Sequence, residues 1–98
     1  MDELQARLWG RMISAVEDYE SGSIAFGRMV GELEGALDAG GFRDAELVRS
    51  FYERWGPLEV LNAMLGEQVS RQEAASSVAE MRRFLVERAP RLADEPTT

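Results

Sequence analysis

Hydrophobic residues recur at intervals of three or four positions along most of this chain, which is the spacing of one face of an α-helix. The first such stretch predicts a helix over about residues 2–20, with Ser21-Gly22 as its glycine-containing end. Its apolar face comprises Leu4, Leu8, Met12, Ala15, Val16 and Tyr19, with Trp9 and Ile13 at the edges. The chain is therefore predicted to begin with an amphipathic helix.

A second helix is predicted between Ser23, a candidate N-cap, and Gly40-Gly41, where glycine favours termination. Its apolar face comprises Phe26, Met29, Val30, Leu33 and Leu37. The third helix is predicted to begin after the N-cap Asp44, with Leu47, Phe51 and Trp55 on its inward face.

Gly56-Pro57 interrupts the third helix, although Leu58, Leu61 and Leu65 continue its apolar stripe. A proline inside a helix removes a hydrogen bond and clashes one turn back, at a cost of roughly 3 kcal/mol or more. The helix is therefore kinked there or split, with Pro57 as the first residue of a new helix. We favour a kinked continuation.

The fourth helix is predicted from Ser70-Arg71-Gln72-Glu73, a capping box in which Val69 precedes the cap and packs against Ala74. Its inward face comprises Ala74, Val78, Met81 and Leu85, and Pro90 ends it. No stretch alternates with the period of a strand, and no hairpin signal or repeat is present. The sequence predicts an all-α fold, a compact antiparallel bundle of four helices in one domain over residues 1–90, with a polar tail over 91–98.

The composition is poor in the side chains that enzymes commonly use for catalysis. The 98 residues include 18 acidic and 11 basic ones, giving a net charge of −7, and all 11 basic residues are arginine. Histidine and cysteine are absent, which excludes triads, thiol chemistry, thiolate metal sites and disulfides. The missing lysine is explained by the base composition of a GC-rich bacterial genome. These absences predict a protein that is not an enzyme and uses no cofactor.

The excess negative charge lies in residues 1–67, which hold 13 acidic and 6 basic residues, whereas residues 68–98 hold 5 of each. Nucleic-acid binding is not expected, because neutralising phosphates requires a basic surface. An acidic field suits a basic protein partner and speeds its association. Solubility alone is the alternative explanation.

The first residues, Met1 to Arg7, place acids where a signal peptide carries basic residues, and no apolar run approaches the length of a membrane span. We therefore expect a cytoplasmic location and no association with a membrane.

Carboxylates near the ends of the first two helices form the first candidate site. Nucleotide pyrophosphatases of the MazG type hold magnesium with Glu-x-x-Glu on one helix and Glu-x-x-Asp on the next, and Glu17-x-x-Glu20 matches the first half. The second half is incomplete, because Glu34 and Asp38 are four positions apart and Gly35 follows Glu32 by three. We therefore predict no metal site, and interpret the acids as a solvated face or as a binding surface for a partner. The candidates are Glu17, Asp18, Glu20, Glu32, Glu34 and Asp38.

A row of small residues, Gly27, Gly31, Gly35 and Ala39, follows the second helix with a spacing of four. Each glycine inside a helix costs roughly 0.8–1 kcal/mol relative to alanine, so the row suggests a close approach by another helix, from this chain or a partner. Exposed glycines that reflect base composition are the alternative. If the approaching helix comes from a partner chain, the row is a candidate contact for a homodimer.

Trp9, Tyr19, Phe51, Tyr52 and Trp55 are the candidates for an aromatic interface or for the core. Phe51 and Trp55 share a face with Leu47 and are assigned to the core. Trp9 and Tyr52 lie at the edges of their stripes, so we predict that they anchor a partner. Arg82-Arg83 is interpreted as a solvated pair.

Residues 13–61 contain a pattern made up of Asp18-Tyr19-Glu20-Ser21-Gly22-Ser23-Ile24, of Phe26, Met29-Val30, Leu33-Glu34 and Leu37-Asp38, and of Phe51-Tyr52-Glu53-Arg54-Trp55 with Leu58-Glu59. This pattern resembles that of a family of small, acidic, all-helical bacterial proteins associated with genes for immunity to neighbouring toxins. The resemblance implies an immunity or antitoxin role and brings no catalytic residue. This sequence departs from the family pattern at two places. Gly56-Pro57 lies in a helix that the pattern makes continuous, and Ala25 stands where a polar capping residue is usual.

Together these features predict a non-catalytic interaction protein that binds a basic toxin or another basic protein through an acidic helical surface. Two alternatives stay open. One is a small magnesium-dependent all-α hydrolase, and the other is a homodimeric bundle with a structural role.

Overall fold

The computed structural model describes residues 1–90 and contains four α-helices and one 3-10 turn. They are α1 (Glu3–Glu20), α2 (Phe26–Gly40), α3 (Ala45–Leu65), the 3-10 turn Gly66–Gln68 and α4 (Arg71–Glu87). No strand occurs within residues 1–90. The predicted all-α bundle of four helices is confirmed, whereas the predicted polar tail over 91–98 lies outside the described residues.

The helices are antiparallel neighbours in a closed ring, in which α1 and α3 each pack against both α2 and α4. Gln5, at the start of α1, donates a hydrogen bond of 2.9 Å to the carbonyl of Gly40, at the end of α2. Arg88, just after α4, pairs with Glu46 at the start of α3, with a distance of 2.6 Å between Nη2 and Oε2. Such contacts between starts and ends fix the direction of each helix against its neighbour.

Three helices begin at side-chain caps. Asp2 accepts from the backbone of Gln5, Asp44 accepts from the backbone of Glu46 and Leu47, and Ser70 forms a reciprocal box with Glu73. The predictions for Asp44 and Ser70 are confirmed.

The predicted cap at Ser23 is wrong. Its hydroxyl hydrogen-bonds the hydroxyl of Ser21 at 3.0 Å, and the N-cap of α2 is Ala25, whose side chain cannot accept a hydrogen bond. Ser23 is instead part of the turn after α1, in which Gly22 has a φ of 87°. The glycine predicted at this turn thus supplies the left-handed conformation that other residues avoid.

Helix α3 continues through Gly56-Pro57 from Ala45 to Leu65, so the alternative of two separate helices is wrong. Leu58, immediately after the proline, is completely buried. Burying a leucine contributes about 1.5–3 kcal/mol, which offsets most of the cost of a proline in a helix. Packing on both sides of Pro57 therefore keeps the helix in one piece.

The core is one cluster of buried side chains to which all four helices contribute. Its largest fully buried members are Trp9, Phe51, Met12, Met29, Leu33, Leu58, Met81, Leu85 and Val16. Half-buried Ile13, Phe42, Trp55 and Val69 pack around the cluster. The apolar faces predicted for α2 and α4 are confirmed, and Phe84 is an additional buried residue of α4.

The face of α1 is rotated relative to the prediction, because Trp9 is 0% exposed whereas Leu4 is 50% exposed. The indole nitrogen of Trp9 donates a hydrogen bond of 2.8 Å to the carbonyl of Leu85. Its ring lies edge-on to Phe42 and Phe84, at centroid distances of 5.7 and 5.8 Å. The prediction that Trp9 anchors a partner is therefore wrong, since α4 and the loop before α3 cover the ring.

Within residues 1–90, none of the helices combines the length and the apolar character that crossing a membrane requires.

We expect Trp9→Phe to lower the free energy of unfolding by about 2–4 kcal/mol, measured by urea denaturation. The smaller ring leaves a cavity, and the Leu85 carbonyl loses its donor in the last turn of α4, where no intrahelical partner is available. Tyr52→Phe, which removes one polar atom from an exposed ring, is the control and should change stability by less than about 0.5 kcal/mol. Equal effects of the two substitutions would contradict a central role for Trp9.

Candidate interaction surface

The six candidate acids do not form one surface, because the fold distributes them over three places. At the end of α1, the carboxylates of Glu17 and Glu20 lie 3.8 and 3.1 Å from the guanidinium of Arg82 on α4. Asp18 is exposed beside them, and its backbone carbonyl accepts hydrogen bonds from the turn that follows α1. The charge of Glu17 and Glu20 is therefore opposed within the chain, and Arg82 is part of this group rather than an isolated solvated residue.

Glu32, in the middle of α2, pairs with Arg28 one turn earlier, with 2.8 Å between Nε and Oε2. Both side chains are well exposed, so the pair contributes only about 0.3–0.5 kcal/mol to stability. Glu32 also lines a shallow depression of about 270 Å³ between α1 and α2, together with Leu8, Arg11 and Gly35. This second place thus has a mixed charge.

The third place joins α2 to α3 and holds the remaining two acids. The hydroxyl of Tyr52 donates a hydrogen bond of 3.1 Å to Oε2 of Glu34. Asp38, one turn along α2, is close enough to act on the Tyr52 hydroxyl through its charge. We call Glu34, Asp38 and Tyr52 the acidic–aromatic surface. Of the three places, this is the one where acids predicted on α2 meet the aromatic residue predicted on α3.

The Tyr52 ring is held in a fixed orientation although 38% of the residue is exposed. It lies edge-on to Phe51 at 5.3 Å and to Trp55 at 5.7 Å, measured between ring centroids. Trp55 is itself anchored, because its indole nitrogen donates a hydrogen bond of 3.0 Å to the carbonyl of Val30. Two core-facing aromatic residues therefore support the exposed one.

The same surroundings raise the pKa of the Tyr52 hydroxyl above its ordinary value of 10.0. Partial burial is the largest cause, followed by the hydrogen bond to Glu34 and the charges of Glu34 and Asp38. Tyr52 therefore remains a neutral hydrogen-bond donor throughout the physiological pH range.

Within residues 1–90, no group of three or more acidic side chains converges in a way that would hold a metal ion. The magnesium-dependent alternative stays a prediction from the sequence.

The row of small residues on α2 is mostly open. A Cβ atom added at Gly31 or Gly35 would meet nothing within 4 Å, whereas one at Gly27 would lie 3.0 Å from Oδ1 of Asn62 on α3. Among these glycines, a close approach by another helix of this chain is therefore confined to Gly27. Contact of Gly31, Gly35 and Ala39 with a second chain stays a prediction.

Two features were not found from the sequence. One is a cleft of about 620 Å³ between the end of α1, the start of α2 and the 3-10 turn, lined by Tyr19, Phe26, Asn62 and Arg71 among others. Arg71 lies over the Tyr19 ring and donates hydrogen bonds to the carbonyls of Tyr19 and Glu20, at 3.1 and 2.9 Å. It thereby satisfies the end of α1, where carbonyl groups lack intrahelical donors.

The other feature is the exposure of Val60 and Met64 on α3, at 51% and 74%. Val60 follows Tyr52 by eight residues, and Met64 follows Val60 by four, which is a helical spacing that can be seen in the sequence. The signal was missed because apolar residues at helical spacing are ordinarily assigned to a core.

Comparison with known proteins gives no relative: no family model, no curated protein and no solved structure matches the chain.

We expect Gly31→Ala to raise stability by about 0.8–1 kcal/mol, because alanine loses less backbone freedom and meets no neighbour. The melting temperature should rise by about 4–8 °C for a chain of this size. Gly27→Ala is the matched substitution and should give a smaller gain, because Asn62 must move. Calorimetry of both variants, with sedimentation to follow assembly, tests this. A loss of self-association in Gly31→Ala would instead assign the row to a contact between chains.

We expect Glu34→Gln to lower the pKa of Tyr52 without restoring its ordinary value, because partial burial remains the larger cause. The raised pKa stabilises the fold at pH values below about 10, and this contribution is lost as the pH rises through the pKa of the folded state. Tyrosinate absorbance during an alkaline titration measures the shift. Glu32→Gln is the control on the same helix, and an equal shift in both variants would contradict the contact between Glu34 and Tyr52.

Proposed function

We propose that this chain is a non-catalytic interaction protein that binds a basic protein partner through its acidic–aromatic surface. The observation that carries the proposal is the hydrogen bond from Tyr52 to Glu34, which places a rigid, half-exposed aromatic ring beside two carboxylates. Aromatic anchors surrounded by charge are typical of the few residues that dominate binding energy at protein interfaces.

The charges favour this surface over the other acidic places. Glu34 accepts a hydrogen bond from a neutral hydroxyl, whereas Glu17 and Glu20 face Arg82 and Glu32 faces Arg28. An arginine or lysine of a partner that approaches Tyr52 meets the carboxylates of Glu34 and Asp38, neither of which forms an ion pair within residues 1–90. Such a surface attracts a basic partner and speeds its association.

The rigidity of Tyr52 favours binding as well. Each flexible side chain that is immobilised at an interface costs about 0.5–1.5 kcal/mol, and Tyr52 is already held by Phe51, Trp55 and Glu34. Little ordering is left for the moment of binding, so the contact area of the ring translates into a slow dissociation.

The concrete form of the proposal is an immunity or antitoxin role, which the resemblance of residues 13–61 implies. In this role the protein covers the working surface of a basic toxin. The charge sets the rate of association, and the aromatic contact sets the lifetime of the complex.

The test is affinity capture from cells of the source organism, with the wild-type chain and a Glu34→Gln/Asp38→Asn variant as baits. We expect the wild type to recover a basic protein, and the variant to recover at least about tenfold less of it, because two charge contacts are lost. Rising salt should weaken the capture by the wild type, since exposed charges are screened.

The matched control is Glu17→Gln/Glu20→Gln, which removes the same charge from the place that Arg82 occupies and should retain the partner. Equal loss with both variants would reduce the effect to net charge and contradict the assignment of the surface. Recovery of the bait alone would contradict the proposed function and favour a self-assembling bundle.

A further inference from the structure

An exposed apolar row begins at Tyr52, in the acidic–aromatic surface, and continues into the second half of α3. Tyr52, Val60 and Met64 are three of the six large hydrophobic residues that are exposed within residues 1–90. They stand at positions i, i+8 and i+12, and Gly56 fills the intervening position i+4. We call Tyr52, Gly56, Val60 and Met64 the α3 row.

Helix geometry makes these four positions a continuous ridge. Residues four apart lie one above the other, and the ridge from Tyr52 to Met64 is about 18 Å long at 1.5 Å per residue. Gly56 leaves a gap in the middle, since a Cβ added there would meet nothing within 4 Å. The result is a ridge with apolar side chains at both ends and a groove between them, a shape into which a partner helix can pack.

The row does not belong to the core. The core side of this half-helix is marked by Leu58, which is fully buried, whereas Met64 is the most exposed large hydrophobic residue of the described chain. An isolated exposed apolar residue needs no explanation, but several in one line mark an interaction site.

The charges around the row identify the partner. Glu59 is next to Val60 on α3, Glu67 follows in the 3-10 turn, and the carboxylates of Glu34 and Asp38 lie at the Tyr52 end of the row. Glu53 follows Tyr52 directly and pairs with Arg54 at 3.8 Å. The single basic residue between Tyr52 and Leu65 is Arg54, whose guanidinium lies 4.8 Å from the ring centroid of Phe84, on the α4 side of the helix. An apolar ridge bordered by acids is complementary to an apolar seam bordered by arginine or lysine.

A second copy of this chain is a poor occupant by the same criterion. Two copies that met along the α3 row would bring Glu59 and Glu67 of one chain against the same acids of the other. Like charges across an interface are unfavourable, and each copy carries a net charge of −7.

We propose that the α3 row is the docking site for a basic amphipathic helix of the partner, whose apolar side chains pack along Tyr52, Val60 and Met64. This inference rests on the proposed function and specifies the secondary structure of the partner and the second half of the interface. The mode of recognition is that of an amphipathic helix on an apolar surface, with anchors spaced three or four residues apart.

The probe is a synthetic, fluorescein-labelled helical peptide with leucines at i, i+4, i+7 and i+11 and arginines on both sides of them. Fluorescence anisotropy should show saturable binding to the wild-type chain. A peptide of identical composition with the leucines spread around the helix, and a peptide with glutamate in place of arginine, should each bind at least about tenfold more weakly.

The decisive variant is Val60→Ser/Met64→Ser, which removes two apolar contacts from exposed positions that do not support the core. Its control is Val86→Ser on α4, since Val86 is 53% exposed against 51% for Val60. We expect the double variant to bind the peptide at least about tenfold more weakly and the control to bind it as the wild type does. Melting temperatures verify that both variants are folded.

Equal binding to the double variant and to the control, or no preference for the ordered peptide, would overturn the proposal. Wild-type self-association that the double variant abolishes would assign the row to a second copy and also overturn it. Either result leaves the proposed function standing if capture of a basic protein still depends on Glu34 and Asp38. Failure of that capture, by contrast, is the failure of the proposed function itself.

Discussion

The burial of Trp9 is the contact on which the arrangement of the four helices depends. Its indole nitrogen reaches the carbonyl of Leu85 across 76 positions of sequence, so the first helix is joined to the last. Phe42, from the loop between α2 and α3, and Phe84, from α4, pack edge-on against the same ring. One side chain therefore connects three parts of the chain and closes the ring of helices at the end where α1 begins.

Closure at this end explains why the two halves of α3 differ. The first half is held by buried Leu47 and Phe51 and by the pair of Glu46 with Arg88, in which the hydrogen bond from Arg88 lowers the pKa of Glu46. Beyond Pro57, Leu58 is the one fully buried residue of the helix. The solvent side of the second half thus carries apolar residues that the bundle leaves uncovered. The ridge is rigid because the opposite side of the same helix is anchored in the core.

Local signals in the sequence determined much of the fold. Asp44 and the pair of Ser70 with Glu73 form caps from residues three positions apart or closer, so no tertiary information is needed to find them. Ser23 was misplaced because its hydroxyl bonds to Ser21 within the turn around Gly22, and the N-cap of α2 lies two residues later at Ala25. Trp9 was misplaced because periodicity defines an apolar face but not which edge of that face a neighbouring helix will cover.

The candidate site was less accessible to sequence reasoning. The acids could be identified, yet only the packing of α2 against α3 brings Glu34 to Tyr52. Likewise, only the packing of α1 against α4 brings Glu17 and Glu20 to Arg82. Val60 and Met64 were not singled out, because an exposed ridge and a buried face have the same helical spacing. Which of the two a stripe becomes depends on the number of helices available to cover it, and among residues 1–90 no helix covers the outer side of α3.

The most direct test of the account uses the five methionines as reporters of the surface. Met12, Met29 and Met81 are buried, whereas Met1 and Met64 are exposed. Met1 precedes α1, and Met64 lies near the end of α3. With ¹³C-labelled methionine methyl groups, titration of the basic amphipathic peptide should shift and broaden the Met64 resonance while that of Met1 stays in place. A peptide that shifts both exposed methionines equally, or leaves Met64 unchanged at saturation, would contradict the assignment of α3 as the binding helix.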